Sequence, residues 1–315
     1  MAATLPSESP HRMSAGDFTQ DLDLSHDELL SLLDLSSQVK RNPTRFARVL
    51  TGRYAALLFE KPSLRTRITF ELAVKQLGGD SILNNGLIAE REPIKDVARN
   101  LDRWTNVIVA RTFMQRTVQD LARYASVPVI NALSDLYHPC QALADVLTIK
   151  EKFGKWRGLK LAFVGDGNNV AHSLMLTATR LGMDFALACP AGYEPNAAIL
   201  EEARGLASEF DTTITITNVA EQAVEGAHAV YTDVWASMGQ EAEAIERRAR
   251  FQPYQVNEDL MDHARSEAVF MHCLPAKRNQ ETTDTVMESE QSVVFDQAEN
   301  RLHVQKALLL MLLGN

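Results

Sequence analysis

Short apolar runs alternate with amphipathic segments along almost the whole chain, and this alternation limits the fold more than any other feature. The apolar runs predict strands at 54–59, 106–110, 128–130, 159–164, 184–188, 213–217, 229–232 and 269–271. The segments among them predict helices, such as 65–77, 117–125 and 138–153. Parallel strands are covered by helices on both faces and therefore read as continuous apolar runs. The sequence thus predicts an α/β fold of two doubly wound parallel-sheet domains joined by long helices.

The domain boundaries follow from one glycine-flanked turn, Gly-Lys-Trp-Arg-Gly at 154–158. A length of 315 residues suits two domains of about 150 residues each. We expect a flexible tail over 1–20, a first domain over 21–150 and a second over 151–301. Folded structure is expected to begin with a capping box from Ser25 to Glu28. Ligands in such folds lie outside the carboxyl ends of the strands, and we expect the active site in the cleft between the domains.

Composition excludes several classes of protein. No apolar run approaches the roughly 20 residues that span a bilayer, which argues against a transmembrane protein. Acidic residues outnumber basic ones by 41 to 32, giving a net charge of −9, whereas nucleic-acid binders carry a basic surplus. Three cysteines are too few for a disulfide framework. The first twenty residues lack the apolar core of a signal peptide, so we expect a cytoplasmic protein.

The segment 60–67, Glu-Lys-Pro-Ser-Leu-Arg-Thr-Arg, follows a predicted buried strand and opens a helix. Main-chain N–H groups at a helix start, the helix dipole and an arginine fork together suit a phosphate. A plain alternative is that Ser63 only caps the helix and that the arginines are solvated.

A second polar cluster, Tyr-His-Pro-Cys-Gln at 137–141, also joins a strand to a helix. His138 can donate to an oxyanion, and Gln141 lies one helical turn further on the same face. His138 could equally serve only as a cap. A metal site with Cys140 lacks the second pair of ligands that zinc spacing requires.

Three further clusters lie in the second half. Residues 165–170 begin like a dinucleotide fingerprint, but Val170 occupies the place of the third glycine, which disfavours a nucleotide cofactor. In the segment 233–241, Asp233 and Ser237 offer a carboxylate and a hydroxyl for an ammonium group. His272 and Cys273 are neighbours in an extended segment and point to opposite sides, which argues against a Cys–His hydrolase. Together these clusters indicate transfer of a group from a phosphorylated donor to an amine.

With these motifs assembled, the chain from about Phe18 to Leu313 resembles the ornithine carbamoyltransferases. The motifs that carry the resemblance are Ser-Leu-Arg-Thr-Arg at 63–67, His-Pro-Cys-Gln at 138–141, Ser-Met-Gly at 237–239 and His-Cys-Leu-Pro at 272–275. Weaker matches lie at 136–137, 165–169 and 299–301. The resemblance implies transfer of the carbamoyl group of carbamoyl phosphate to the δ-amine of L-ornithine, giving citrulline in arginine metabolism. The biosynthetic and the catabolic direction share this chemistry, so both remain open at this point.

The resemblance also implies the site residues. Those that bind the phosphate are Ser63, Leu64 through its main chain, Arg65, Thr66 and Arg111. Those that hold the carbamoyl group are His138, Gln141, Arg301 and the main-chain carbonyls of Cys273 and Leu274. Those that bind ornithine are Asn169, Asp233, Ser237 and Met238. The catalytic residues among them are Arg111, His138, Cys273 and Arg301, with Cys273 assisting deprotonation of the amine.

The first domain would then bind carbamoyl phosphate, with the C-terminal helix 302–315 packing back on it, and the second would bind ornithine. The family pattern implies a homotrimer or a multiple of one, and it requires no cofactor and no metal. Two features depart from the pattern. Leu64 replaces the usual threonine, and the stretch 78–96 is shorter than usual, so that Asn84, Asn85 or Arg91 would replace a glutamine contributed by a neighbouring subunit. A carbamoyltransferase for a related amine and a non-catalytic binding homologue are the competing hypotheses.

Overall fold

A computed structural model describes residues 12–236 and 241–314 of the chain. The chain divides into two compact units, one formed by residues up to 144 together with those from 299 onward, the other by residues 145–298. Both are α/β units, as the alternation of apolar runs predicts. In the described ranges, no helix combines the length and the apolar character needed to cross a membrane.

The first unit is built on a four-stranded sheet in the order β2-β1-β3-β4, with every pair parallel. Its strands are β1 (Tyr54–Phe59), β2 (Asp80–Asn85), β3 (Val107–Arg111) and β4 (Val129–Leu133). Its helices are α1 (His26–Arg41), α2 (Leu64–Gln76), α3 (Ile94–Trp104) and α4 (Gln115–Tyr124). The next helix, α5 (Pro139–Phe153), crosses the division between the units.

The second unit is built on a five-stranded sheet in the order β7-β6-β5-β8-β9, again with every pair parallel. Its strands are β5 (Lys160–Val164), β6 (Asp184–Ala188), β7 (Ile214–Thr217), β8 (Ala229–Thr232) and β9 (Val269–His272). Its helices are α6 (Asn169–Arg180), α7 (Ala197–Phe210), α8 (Ala220–Val224), α9 (Ala244–Phe251), α10 (Glu258–Met261) and α11 (Asp284–Met287). The last helix, α12 (Val294–Leu313), contains the second division point.

Strand β2 is an element that the apolar pattern does not reveal. Its sequence, Asp-Ser-Ile-Leu-Asn-Asn, is mostly polar, and none of its residues is fully buried. It pairs only with β1 at the edge of the sheet. An edge strand is covered less than a central one. Its residues are therefore not buried continuously, and its sequence lacks the apolar run that predicts a strand.

The segment 12–20, which the sequence analysis assigns to a tail, packs on the first sheet. Phe18 is fully buried, and its main chain exchanges hydrogen bonds with β4: Phe18 N donates to Val129 O at 2.8 Å, and Asn131 N donates to Phe18 O at 2.7 Å. The expected capping box then starts α1, because Ser25 N donates to Glu28 Oε2 and Glu28 N donates to Ser25 Oγ. One large apolar side chain and a β-bridge thus attach this segment to β4.

Close packing explains one glycine of the loop after β5. A Cβ added to Gly167 would lie 2.4 Å from Pro195 N and 2.5 Å from the carbonyl carbon of Glu194. Both are main-chain atoms, which cannot yield as a flexible side chain can. Gly167 therefore allows two backbone segments to approach one another, and this role needs no nucleotide.

We predict that alanine has opposite effects at two glycines of the second unit. Gly167→Ala should lower the free energy of unfolding by about 1–3 kcal/mol, because the new methyl group collides with main chain. Gly205→Ala, inside α7 with nothing within 4 Å of the added Cβ, should raise it by about 0.5–1 kcal/mol. Urea unfolding of both variants measures the difference. Equal effects at the two positions would contradict the packing role of Gly167.

Candidate functional site

In the first unit, polar residues follow the carboxyl ends of three adjacent strands. Ser63 lies just beyond β1, Arg111 is the last residue of β3, and His138 lies beyond β4 at the start of α5. Because β1, β3 and β4 are parallel neighbours, these three positions lie at the same edge of the sheet. The fold therefore brings together residues that are up to 75 positions apart in the sequence.

The residues that the sequence suggests as an anion cradle, 63–66, lie at the start of α2. Ser63 caps the helix, and its Oγ accepts a hydrogen bond from Thr66 N at 3.2 Å. Arg301, on α12, donates from Nη2 to Thr66 Oγ1. Leu64 leaves 70% of its surface exposed. Its side chain is therefore free to vary, and what position 64 offers a ligand is the main-chain N–H of a first helical turn.

The other expected residues of this unit are buried beside the cradle. Arg111, His138, Gln141 and Arg301 are all buried. Burial, and then the positive charges of Arg301 and Arg111, lower the pKa of His138 well below its ordinary value of 6.5. The ring is therefore neutral at physiological pH, and it stands beside two guanidinium groups that favour an anion.

A cavity of about 530 Å³ opens next to the cradle. The residues that line it are Phe59, Glu60, Pro62, Ser63, Leu64, Arg67, Asn85 and Gly86. Of the three candidates in the shortened stretch, Asn85 is the one that contributes to this lining. Asn85 is the last residue of β2 and pairs with Phe59, the last residue of β1, so the ends of these two neighbouring strands line the cavity.

The second unit also gathers polar groups at its strand ends. Cys273, directly after β9, donates from Sγ to Asp233 Oδ1 at 3.1 Å, and Asp233 follows β8. Asn168, after β5, donates from Nδ2 to Asp233 Oδ2 at 2.9 Å. Asn168 also caps α6 by accepting from Val170 N and Ala171 N. One carboxylate thus connects the ends of three strands.

Of the four expected ornithine residues, the structure describes Asn169 and Asp233. Asn169 is the first residue of α6 and is half-buried. Its neighbour Asn168, which the sequence analysis did not select, makes the contact with Asp233. Ser237 and Met238 lie outside the described residues.

A buried ion pair that the sequence did not predict lies beside this carboxylate. Arg247, on α9, donates to Asp166 Oδ2 at 2.7 Å and to the carbonyl of Trp235 at 3.1 Å. Its guanidinium also lies 4.9 Å from the ring centre of Tyr193. Sequence reasoning had no means of selecting Arg247, because it is one of several charged residues in an exposed-looking helix.

Three potential metal ligands meet in this unit, namely Asp233, His272 and Cys273, with their ligand atoms within 4.8 Å of one another. Both ring nitrogens of His272 are already engaged. Nδ1 accepts from Leu274 N at 2.8 Å, and Nε2 lies 3.2 Å from Glu281 Oε1. A metal would have to displace one of these partners, so the set is not a prepared metal site.

Comparison with known proteins identifies both units. Residues 16–151 match the sequence profile of the carbamoyl-P binding domain of aspartate/ornithine carbamoyltransferases, and residues 157–312 match that of the Asp/Orn binding domain. The chain is 50% identical over 297 residues to the ornithine carbamoyltransferase of Thermococcus kodakarensis, covering 93% of this chain and 94% of that protein. It is 48% identical, also over 297 residues, with the same coverage of both chains, to the anabolic ornithine carbamoyltransferase of Pyrococcus furiosus.

A solved structure of ornithine carbamoyltransferase from Pyrococcus furiosus superimposes with a TM-score of 0.93 at 47% identity. The superposition covers 96% of this chain and 98% of that one. The chain therefore resembles this protein both in sequence and in fold over nearly the whole length of the two chains.

We predict that His138 makes stability depend on pH. Its folded pKa lies below the ordinary value of 6.5, so as the pH falls below 6.5 the unfolded chain binds a proton that the folded protein does not. The free energy of unfolding should then fall with decreasing pH by up to about 1.4 kcal/mol per pH unit for this one group. Urea unfolding of wild type and His138→Gln between about pH 7 and pH 5 tests this, because the variant lacks that contribution. Parallel curves would contradict it.

We predict that iodoacetamide labels Cys273 in the folded protein and spares the other two cysteines. Cys273 is half-buried, whereas Cys140 and Cys189 are buried, and burial raises the pKa of each of those two thiols to about 12. Thiolate is the reactive form. Mass spectrometry after labelling near about pH 8 locates the adduct, with urea-unfolded protein as the control in which all three react. Native labelling of Cys140 or Cys189 at the rate of Cys273 would contradict this.

Proposed function

Because the chain belongs to the aspartate/ornithine carbamoyltransferase family, we propose that it transfers the carbamoyl group of carbamoyl phosphate to the δ-amine of L-ornithine, releasing citrulline and phosphate. The observation that supports this most directly is the buried cluster of His138, Arg111 and Arg301 beside the start of α2. A neutral hydrogen-bond donor between two fixed cations suits a substrate that carries both a phosphate and a carbonyl group.

Phosphate binding is assigned to the start of α2 and to Arg111. The main-chain N–H groups at Leu64 and Arg65 and the hydroxyls of Ser63 and Thr66 would hold the phosphate oxygens. The guanidinium groups of Arg65 and Arg111 would compensate their charge. Leu64 lacks the hydroxyl of the threonine that is usual at this position. Its exposed side chain does not interfere with this role, because the proposed contact uses only the main-chain N–H.

Activation of the carbonyl is assigned to His138 and Arg301. When the amine attacks, negative charge develops on the carbonyl oxygen, and donors already in place stabilise it without reorganising. Arg301 is held by its hydrogen bond to Thr66 Oγ1, which ties this donor to the phosphate cradle. Gln141 and the main-chain carbonyls of Cys273 and Leu274 would accept from the carbamoyl amine.

Ornithine binding is assigned to Asn169, Asp233, Ser237 and Met238. The δ-ammonium must lose a proton before its nitrogen has a lone pair. We assign Cys273, whose Sγ donates to Asp233, to orienting the amine and assisting that loss, with the Asp233 carboxylate as the group that would take the proton. The new bond then joins the δ-nitrogen to the carbonyl carbon, and the bond from that carbon to the phosphate oxygen breaks with its electron pair leaving on phosphate. The nitrogen gives up one further proton as the new amide forms, and the departing phosphate would take it.

The assembly and the cellular role extend this proposal. We assign the chain to arginine biosynthesis in the cytoplasm, as a homotrimer or a multiple of one, without cofactor or metal. The domain that binds carbamoyl phosphate would be 21–150 with the helix from 302, and the ornithine domain 151–301. Support comes from the family, and from the curated relative of Pyrococcus furiosus that is termed anabolic.

The proposal predicts citrulline formation that depends on Arg65. Purified protein should convert carbamoyl phosphate and L-ornithine to citrulline, with little product from putrescine, N-acetylornithine or aspartate. Arg65→Ala should lower kcat/KM for carbamoyl phosphate by at least about 100-fold, because a charged donor to the phosphate is lost. Arg41→Ala, at an exposed position of α1, is the matched control and should keep wild-type activity.

The outcomes separate the hypotheses. Turnover of another amine in place of ornithine would point to a related carbamoyltransferase. Binding of carbamoyl phosphate without any product would favour the non-catalytic homologue. Near-normal activity of Arg65→Ala would reject the assigned phosphate cradle while leaving the overall reaction standing.

A further inference from the structure

A buried polar network lies under the turn that carries His138. Its members are Gln115 at the start of α4, Asn131 in β4 and Ser134 after β4, and all three side chains are buried. None of them belongs to the motifs that identify the family. Each is a polar side chain placed in an otherwise apolar sheet end, where an amide or hydroxyl is costly unless it is hydrogen-bonded.

The network is closely connected. Ser134 Oγ donates to Gln115 Oε1 at 2.6 Å, and Asn131 Nδ2 donates to the same oxygen at 3.0 Å. Ser134 Oγ in turn accepts from Tyr137 N at 3.2 Å, and Ser134 N donates to Tyr137 O at 2.9 Å. The hydroxyl and the main-chain N–H of Ser134 therefore each bond to Tyr137 across the four-residue turn that leads directly into His138.

The other side of the network is anchored on the N-terminal segment. The carbonyl of Thr19 accepts from Gln115 Nε2 at 3.0 Å and from Asn131 Nδ2 at 2.9 Å. Thr19 itself is held by Asp23, whose Oδ2 accepts from Thr19 N at 2.6 Å and from Thr19 Oγ1 at 2.8 Å. A continuous path of hydrogen bonds thus runs from Asp23 through the interior to the residue before His138.

We propose that Gln115, Asn131 and Ser134 are positioning residues for His138, and that the N-terminal segment Asp17–Gln20 completes this support through the Thr19 carbonyl. The inference rests on the proposed role of His138 at the substrate carbonyl. A donor displaced by a fraction of an ångström loses its alignment with the developing oxyanion, and a misplacement of about 1 Å can cost about 100-fold in rate. A buried network with two anchors restricts that displacement.

The test compares two buried serines of the same unit. Ser134→Ala removes the central hydroxyl of the network. Ser36→Ala removes a buried hydroxyl of α1 that donates to Leu32 O within its own helix and not to a member of the network. Both deletions should lower Tm, but only Ser134→Ala should lower kcat, by about 10- to 100-fold, with KM for carbamoyl phosphate changed less than about threefold. Ser134→Thr, which keeps the hydroxyl, should recover most of the lost kcat.

A second variant changes a different member of the network, the side chain of Gln115. Gln115→Met keeps the length of the side chain and removes its hydrogen bonds, so it should reproduce the fall in kcat even if Ser134→Ala fails to fold. The proposal is overturned if the variants that fold lose Tm as Ser36→Ala does while kcat stays within about twofold of wild type.

A spectroscopic readout separates this inference from the proposed function. In protein labelled with ¹⁵N-histidine, the signal absent from His138→Gln identifies the ring of His138. Ser134→Ala should shift that signal, and Ser36→Ala should leave it unchanged. If His138→Gln retains full turnover, the proposed role of His138 is wrong, yet a shifted signal still supports the positioning network. An unshifted signal in Ser134→Ala counts against the network whatever the activity of His138→Gln.

Discussion

Parallel pairing of every strand determines where chemistry occurs in this protein. Each strand of a parallel sheet ends at the same edge as its neighbours. The residues at the ends of β1, β3 and β4 therefore lie at one edge as a direct result of the strand pairing. The second sheet gathers Asn168, Asp233 and Cys273 by the same rule. The helices that begin at these ends add oriented N–H groups. The proposed anion site and the proposed amine site thus follow from the same geometrical constraint.

The candidate site of the first unit contains two buried positive charges beside a histidine. Arg111 and Arg301 both lie inside the unit beside His138, and their charges add to burial in keeping that imidazole neutral. A phosphorylated ligand, as proposed, would add negative charge beside these two buried guanidinium groups. The proposed phosphate binding and the proposed carbonyl activation by His138 would then draw on one cluster.

Sequence reasoning succeeded where burial is continuous. The strand 54–59 is reproduced to the residue, because an apolar run covered on both faces has one simple pattern. It missed β2, whose polar residues reflect an edge position. The polar clusters at strand ends were found because each stands beside a strand or helix signal, whereas Arg111 and Arg301 were predicted only from the family resemblance. Gln115, Asn131 and Arg247 were not found, since their partners are remote in sequence and only the folded chain brings them together.

The two margins of the first sheet, β4 and β2, are protected from pairing with a foreign strand in different ways. Beyond β4, residue Phe18 supplies main-chain hydrogen bonds and a buried ring, so that margin is covered by the chain's own N-terminal segment. At the other margin, β2 exposes the polar side chains of Asp80, Asn84 and Asn85, which discourage a foreign strand from docking, together with the apolar side chain of Ile82. Losing the segment before α1 would uncover the apolar margin of β4 and invite edge-to-edge association of partly folded chains. The segment around Phe18 therefore gains its pairing partner only when β4, far along the chain, has been formed.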